Sequence, residues 1–355
     1  MTPMLALLAT VAVARQTASM LPDGDALDPT ADPWPAVFAC LDFVQQATPT
    51  TPADWIELIR RLDGVALARH ACPTESWDYD DEEHGPLPAR SYDEWRRRIG
   101  PRFPDFGFYW DALDGLDLAR TDNTGLGDAI DDLADIAHEL EQAALVRERL
   151  GDREGRLALG EAFDIHAGDH LRRLQRYLHL RTAGAAWQLD AGGPSGARVA
   201  DPRPAIDAFL AFVLAPEPLT RGQWAQFARL LDELVMARHA VAGVTIVGSA
   251  AASIASVDPA RCEVLRRRLA ACDRYLQTAP LHPAVEPEGT MEPVVELRDA
   301  IADLEQLTST LVAVAAASPP GDAHAAAVAF ASAFDPLLHG RVRDLQRYAY
   351  AVMRS

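Results

Sequence analysis

Runs of β-branched residues are almost missing from this chain, and with them goes the usual case for a sheet. Leu and Ala fill the periodic stretches, while Gly and Pro collect between them, so an all-α fold is expected. Cysteine is thin as well. Cys40, Cys72, Cys262 and Cys272 are scattered, with no CxxC pair and no histidine at zinc-finger spacing, so they read as reduced, mostly buried, small apolar residues. Basic charge is short: 33 Lys and Arg against 52 Asp and Glu leave a net charge of -19. Such a field repels phosphate backbones and anionic lipid heads, which argues against nucleic acid and membrane partners and steers basic ones inward. No Walker phosphate loop, GxGxxG, GxSxG elbow or HExxH is present, so the common signatures of nucleotide enzymes, serine hydrolases and metalloproteases are excluded.

What is present is a chain of 355 residues, 49% hydrophobic, with enough apolar material for one large core or two ordinary ones. Its start, Met4 to Ala14, is apolar like the middle of a signal peptide, yet no Lys or Arg precedes it. The segment therefore reads as a short helix packed on the body or an over-long start, and the protein as cytoplasmic. No other stretch approaches the apolar length of a membrane span.

An internal repeat sets the expected organisation. Asp32-Pro-Trp-Pro-Ala-Val-Phe-Ala-Cys-Leu-Asp-Phe-Val44 returns as Asp201-Pro-Arg-Pro-Ala-Ile-Asp-Ala-Phe-Leu-Ala-Phe-Val213, 169 residues later. At the same offset Trp55 matches Trp224 and Ala68-Arg-His70 matches Ala237-Arg-His239. Arg96-Arg-Arg98 then pairs with Arg266-Arg-Arg268, Asp128-Ala-Ile130 with Asp299-Ala-Ile301, and Leu174-Gln-Arg-Tyr177 with Leu345-Gln-Arg-Tyr348, the offset creeping to 171. Matches in one order at a near-constant offset predict two tandem helical bundles packed together. Residues 1–31 form an N-terminal segment, 32–184 the first copy, 185–200 a Gly-rich linker, and 201–355 a degenerate second copy. Within the first copy, Thr51-Pro-Ala-Asp54 reads as a helix start, and the longest helices are expected over 126–150 and 155–180. The nearly uncharged stretch 240–254 is expected to be buried between the copies.

Three clusters could carry chemistry. His166 and His170 stand four residues apart on one helix, the spacing that lets two imidazoles bind one metal ion. At 100° per residue from Phe163, His170 falls inside the stripe of Leu174 and Tyr177, and His166 at its edge. A core role in which both rings satisfy nearby carbonyls or carboxylates is the competing explanation. Upstream, Asp128, Asp132 and Asp135 stack along a second helix and could add oxygen ligands or a base. A solvated acidic face explains them equally. In the second copy His166 becomes Leu337, His170 becomes Arg341 and Asp135 becomes Gln306, which confines any metal function to the first. The third cluster is aromatic: Phe103, Phe106, Phe108, Tyr109 and Trp110 form a core corner or a binding hot spot.

The first copy resembles the bacterial domain of unknown function 5063 family. Its members carry a Tyr-Trp element, an acidic Asp-Asp-Leu-Ala-Asp-Ile helix and a Phe-x-Ile-His-x-Gly-x-His helix. Here these are Tyr109-Trp110, Asp131 to Ile136 and Phe163 to His170, within a resemblance spanning about Phe43 to Leu180. The resemblance implies that Asp131, Asp132, Asp135, His166 and His170 belong together; it implies no activity.

The function favoured by the sequence is a non-catalytic, acidic protein-binding protein, immunity-like or adaptor in kind. Trp77, Tyr79, Asp80, Asp81, Glu82, Glu83, Tyr109 and Trp110 would meet a partner with a basic surface. The alternative is a metal-dependent hydrolase. There His166, His170, Asp132 and Asp135 would hold a divalent zinc, iron or manganese ion, with Asp131 as base.

Overall fold

A computed structural model of the chain describes residues 32–73, 75, 77, 79–112, 124–182, 201–215, 217–241, 259–269, 300–318, 320–334 and 338–354. The expected N-terminal segment, the Gly-rich linker, Leu337, Cys272 and the apolar stretch beyond Val241 lie outside them. The described chain is mostly α-helical.

Its first half runs α1 (Trp34–Gln46), α2 (Pro52–Arg69), the single turn α3 (Asp81–His84) and α4 (Tyr92–Ile99), which ends in a 3-10 turn. A two-stranded hairpin follows, β1 (Phe108–Ala112) with β2 (Thr124–Asp128), then α5 (Ala129–Leu150), α6 (Asp152–Ala162), a π-helical turn (Phe163–Ala167) and α7 (Gly168–Thr182). The second half holds α8 (Arg203–Val213), α9 (Arg221–Ala240), α10 (Pro259–Arg268), α11 (Ala300–Ala317), α12 (Ala323–Ala333) and α13 (His339–Arg354).

Local chemistry starts these helices where the sequence suggests. Thr51 and Asp54 form a reciprocal capping box on α2, with Pro52 in the first turn, and Ser91 and Glu94 do the same on α4. The hairpin departs from the all-helical expectation and moves the start of α5 from Leu126 to Ala129. Its antiparallel register pairs Tyr109 with Gly127. The Tyr109 ring lies across that glycine so closely that a Cβ there would sit 2.5 Å from a ring carbon. An aromatic laid over a cross-strand glycine gives the short ribbon the packing it otherwise lacks. Asp128 then caps α5 by accepting from the Ile130 amide at 3.0 Å.

The buried apolar residues fall into two clusters. One is built from Trp34 to Leu178 plus Tyr350, the other from Ile206 to Ala349. By length and composition α11 would suit a membrane span, but it is packed into the second cluster, where a core helix has the same character.

Between the clusters α2 packs on α9, and α7 on α13. Two carboxylates, Asp63 on α2 and Asp232 on α9, are buried in this contact at 1% exposure each. Asp63 accepts from both terminal nitrogens of Arg343, one of them at 2.7 Å, from His239 Nε2 at 2.7 Å and from Gln175 Nε2 at 2.7 Å. Asp232 repeats the pattern with the halves exchanged: Arg172 donates twice at 2.9 Å, His70 Nε2 at 2.9 Å and Gln346 Nε2 at 2.6 Å. Burial alone would raise both carboxyls, but the arginine and histidine facing each of them hold it below the ordinary carboxylate value.

Removing the charge of either carboxylate strands a buried arginine. Asp63→Asn and Asp232→Asn should each cost about 3–5 kcal/mol in urea unfolding. A cost near zero would show that these clusters do not hold the halves together.

His179 on α7 is pushed down to about 3, by burial first and then by Arg343 and Arg176. The folded chain therefore keeps it neutral, while the unfolded chain protonates it below about 6.5. The stability this contributes is present above that value and lost as pH falls toward 3. Unfolding free energy should therefore drop between about pH 6.5 and pH 4, and His179→Gln should flatten that drop; an unchanged slope would place the titration elsewhere.

Candidate metal centre

Helix α5 carries the acidic residues and the π turn with α7 carries the histidines, and these elements pack side by side. His170, on the first turn of α7, presents Nδ1 to Asp132 Oδ1 at 2.6 Å. Asp132 is itself buried at 3% exposure and takes a short bond from the Tyr109 hydroxyl on its other oxygen. His166, in the π turn, presents Nδ1 to Glu139 Oε1 at 3.3 Å. Each imidazole thus has a carboxylate at Nδ1, an arrangement that in the neutral ring favours the proton on Nδ1 and the lone pair on Nε2.

The two Nε2 atoms face each other. His166 Nε2 and His170 Nε2 lie 3.0 Å apart, and Asp135 Oδ2 stands 3.6 Å from His170 Nε2. One donor atom from each of Asp135, His166 and His170 fits within 4.8 Å of the others. Metal–ligand bonds of about 2.0–2.2 Å put neighbouring ligand atoms about 3–3.5 Å apart, close to the 3.0 and 3.6 Å spacings at His170 Nε2, so the three residues are a candidate set for one divalent cation. The His166 side chain is 46% exposed and that of His170 18%, which leaves the outer side of the set open to solvent.

Electrostatics agree with a site short of positive charge. Burial opposes charge on His170, yet the bond to Asp132 and the fields of Asp132 and Asp135 lift it above the ordinary imidazole value. Burial raises Asp132 despite its bonds from His170 and Tyr109, and raises Asp135 despite the two histidines, with Asp131 and Asp132 adding to the rise.

In the second half, Asp303 and Arg341 stand 171 residues after Asp132 and His170, and there the buried Asp303 carboxylate takes a short bond from the Arg341 guanidinium.

Of the expected ligands, the structure brings Asp135, His166 and His170 together and places Asp132 one step back, on the far nitrogen of His170. Glu139, which the sequence reading passed over, holds His166 in the same way. Asp131, the expected base, is paired with Arg96 Nε at 3.3 Å and is not one of the three clustered residues. Tyr109 is buried, stacked on Tyr177 at 5.1 Å and bonded to Asp132, so it serves the site from inside and offers no surface to a partner. Trp110 lies on β1, and its register partner is Leu126. In the acidic segment Asp80, Glu82 and Glu83 are exposed, and Asp81 opens α3. Trp77 and Tyr79 are half-buried and packed ring to ring at 6.0 Å.

Comparison of the chain with protein-family models, with curated proteins and with solved structures gives no match. The functional reading therefore rests on the geometry.

Replacing Asp132 with Asn removes the charge behind His170 and leaves burial to act against its protonation. His170 should then titrate lower than in the parent chain, as followed by NMR of the ring protons in metal-free protein. An unmoved titration would mean that Asp132 does not set the state of this ring.

Proposed function

We propose that the first half of this chain holds one divalent metal ion through His166, His170 and Asp135 and acts as a metal-dependent hydrolase. The observation that carries the reading is the facing pair of Nε2 atoms at 3.0 Å, each turned inward by a carboxylate on its Nδ1. Two lone pairs repel at that distance unless a cation or a proton lies between them. Three protein ligands with an open outer side leave a position for water, and a bound ion lowers the pKa of that water to about 7. The donor set of two imidazoles and one carboxylate suits zinc, iron or manganese. The resemblance to the domain of unknown function 5063 family groups the same residues. We read the two halves as copies of one unit, on the sequence matches and the reciprocal pairing of Asp63 and Asp232. We also place the protein in the cytoplasm: Cys40 and Cys72 are buried thiols, pushed up to about 12 and about 11 mainly by burial.

Elemental analysis of the purified chain should find close to one equivalent of metal. A folded His166→Ala, His170→Ala variant should lose it, along with any hydrolysis of a panel of phosphoesters and nucleotides. A chain that stays metal-free after incubation with zinc, iron and manganese would mean that a proton bridges the rings and would sink the reading.

One observation supports binding of a basic protein partner as a second reading. Arg149 donates to the Tyr79 hydroxyl and to the carbonyls of His84, Gly85 and Pro86 at 2.8–3.1 Å, which fixes the acidic segment in place. Pre-ordered acidic side chains lose little entropy on meeting a basic surface. A Glu82→Lys, Glu83→Lys variant should then lose a salt-sensitive partner that the parent chain retains at low salt; equal retention by both would remove this reading.

A further inference from the structure

We infer that Tyr350, a residue of the second half, is a positioning residue for the metal ligand His166. The inference rests on the metal reading above and adds to it a role for the second half.

His166 is held by a π-helical turn, in which the Gly168 amide reaches back to the Phe163 carbonyl. A π turn is a costly local geometry, kept where surrounding contacts over-determine it, and often found at functional sites. Two contacts pin this one. From α2, buried Arg69 grips Asp164 with Nε at 3.0 Å and a terminal nitrogen at 2.5 Å. From α13, the Tyr350 hydroxyl donates to the Phe163 carbonyl at 2.5 Å, the same oxygen that closes the π turn.

Tyr350 crosses between the halves to do this. Among the described residues it is the one member of the first apolar cluster that comes from the second half, it is 4% exposed, and its ring meets Phe163 edge-on at 5.8 Å. The approach needs glycine at position 168. A Cβ there would stand 2.2 Å from the Tyr350 hydroxyl oxygen and 2.5 Å from the Phe163 carbonyl. Glycine, tyrosine and π turn therefore form one fitted unit, and His166 is the ligand it presents. His170 lies beyond the turn on regular α-helix and has its own anchor in Asp132. The hydroxyl of Tyr350 should accordingly govern one ligand and spare the other.

Tyr350→Phe keeps the ring against Phe163 and removes only the donor. Two readouts follow, cobalt(II) titration by visible absorption and the ring nitrogen resonances of His166 and His170 in metal-free protein. The variant should bind cobalt about tenfold more weakly with an altered visible spectrum, and should shift His166 but not His170. Gly168→Ala, which displaces the tyrosine from the other side, should give the same selective shift. A folded Tyr350→Phe variant with unchanged cobalt affinity, spectrum and His166 resonances would overturn the inference. So would one that fails to fold or moves both histidines equally, since the hydroxyl would then be a general determinant of stability. A parent chain that takes up no cobalt would sink the metal reading instead, and the histidine resonances alone would decide this one.

Discussion

A carboxylate buried without water needs its lone pairs filled, and Asp63 and Asp232 each take four donors in a contact closed to solvent. No single helix can supply four. Asp63 draws on α7, α9 and α13, and Asp232 draws on α7, α13 and His70 at the C-terminal cap of α2, so satisfying either one ties four helices together. The pairing is also exchange-related: each aspartate takes its arginine and histidine from the other half and its glutamine from its own. An arrangement of this kind penalises any slip between the halves, because a displaced helix would leave a charge unmatched in a dry contact. Everything that depends on α7 and α13 lying at a fixed separation, the reach of Tyr350 to the π turn included, inherits that constraint.

The candidate centre works on the same logic at a smaller scale. A bare histidine pair can point either ring nitrogen at a shared cation. Here Asp132 and Glu139 occupy both Nδ1 atoms, and the choice is made before anything binds. The Tyr109 hydroxyl, delivered by the hairpin, fixes Asp132 in turn. The hairpin, the one strand pair among the described residues, thus places the hydroxyl that holds Asp132.

Much of this could be read from the residues alone. The i, i+4 histidines and the acidic helix are periodic features, and period survives folding. What the wheel could not show is the backbone between them: a π turn from Phe163 to Ala167 carries His166, and regular α-helix carries His170. Nor can a wheel tell which nitrogen of a ring faces which neighbour, and only the structure sets Asp132 and Glu139 against the Nδ1 atoms of His170 and His166. The hairpin leaves little trace in the sequence, since the fit of Tyr109 over Gly127 joins two residues that no periodicity links. The matches Ala68-Arg-His70 with Ala237-Arg-His239, and Leu174-Gln-Arg-Tyr177 with Leu345-Gln-Arg-Tyr348, were visible as repetition. Their purpose was not, because His70, His239, Gln175 and Gln346 acquire meaning only once the halves face each other.

Arg341 gives the two halves unequal dependence on their surroundings. Its guanidinium is covalently part of the chain, so the buried Asp303 carboxylate has its partner wherever the chain is folded. On the proposed metal reading, the set of Asp135, His166 and His170 would instead take its positive charge from a bound ion. Scarcity of that ion would then be felt at His166 and His170 and not at the pair of Asp303 and Arg341.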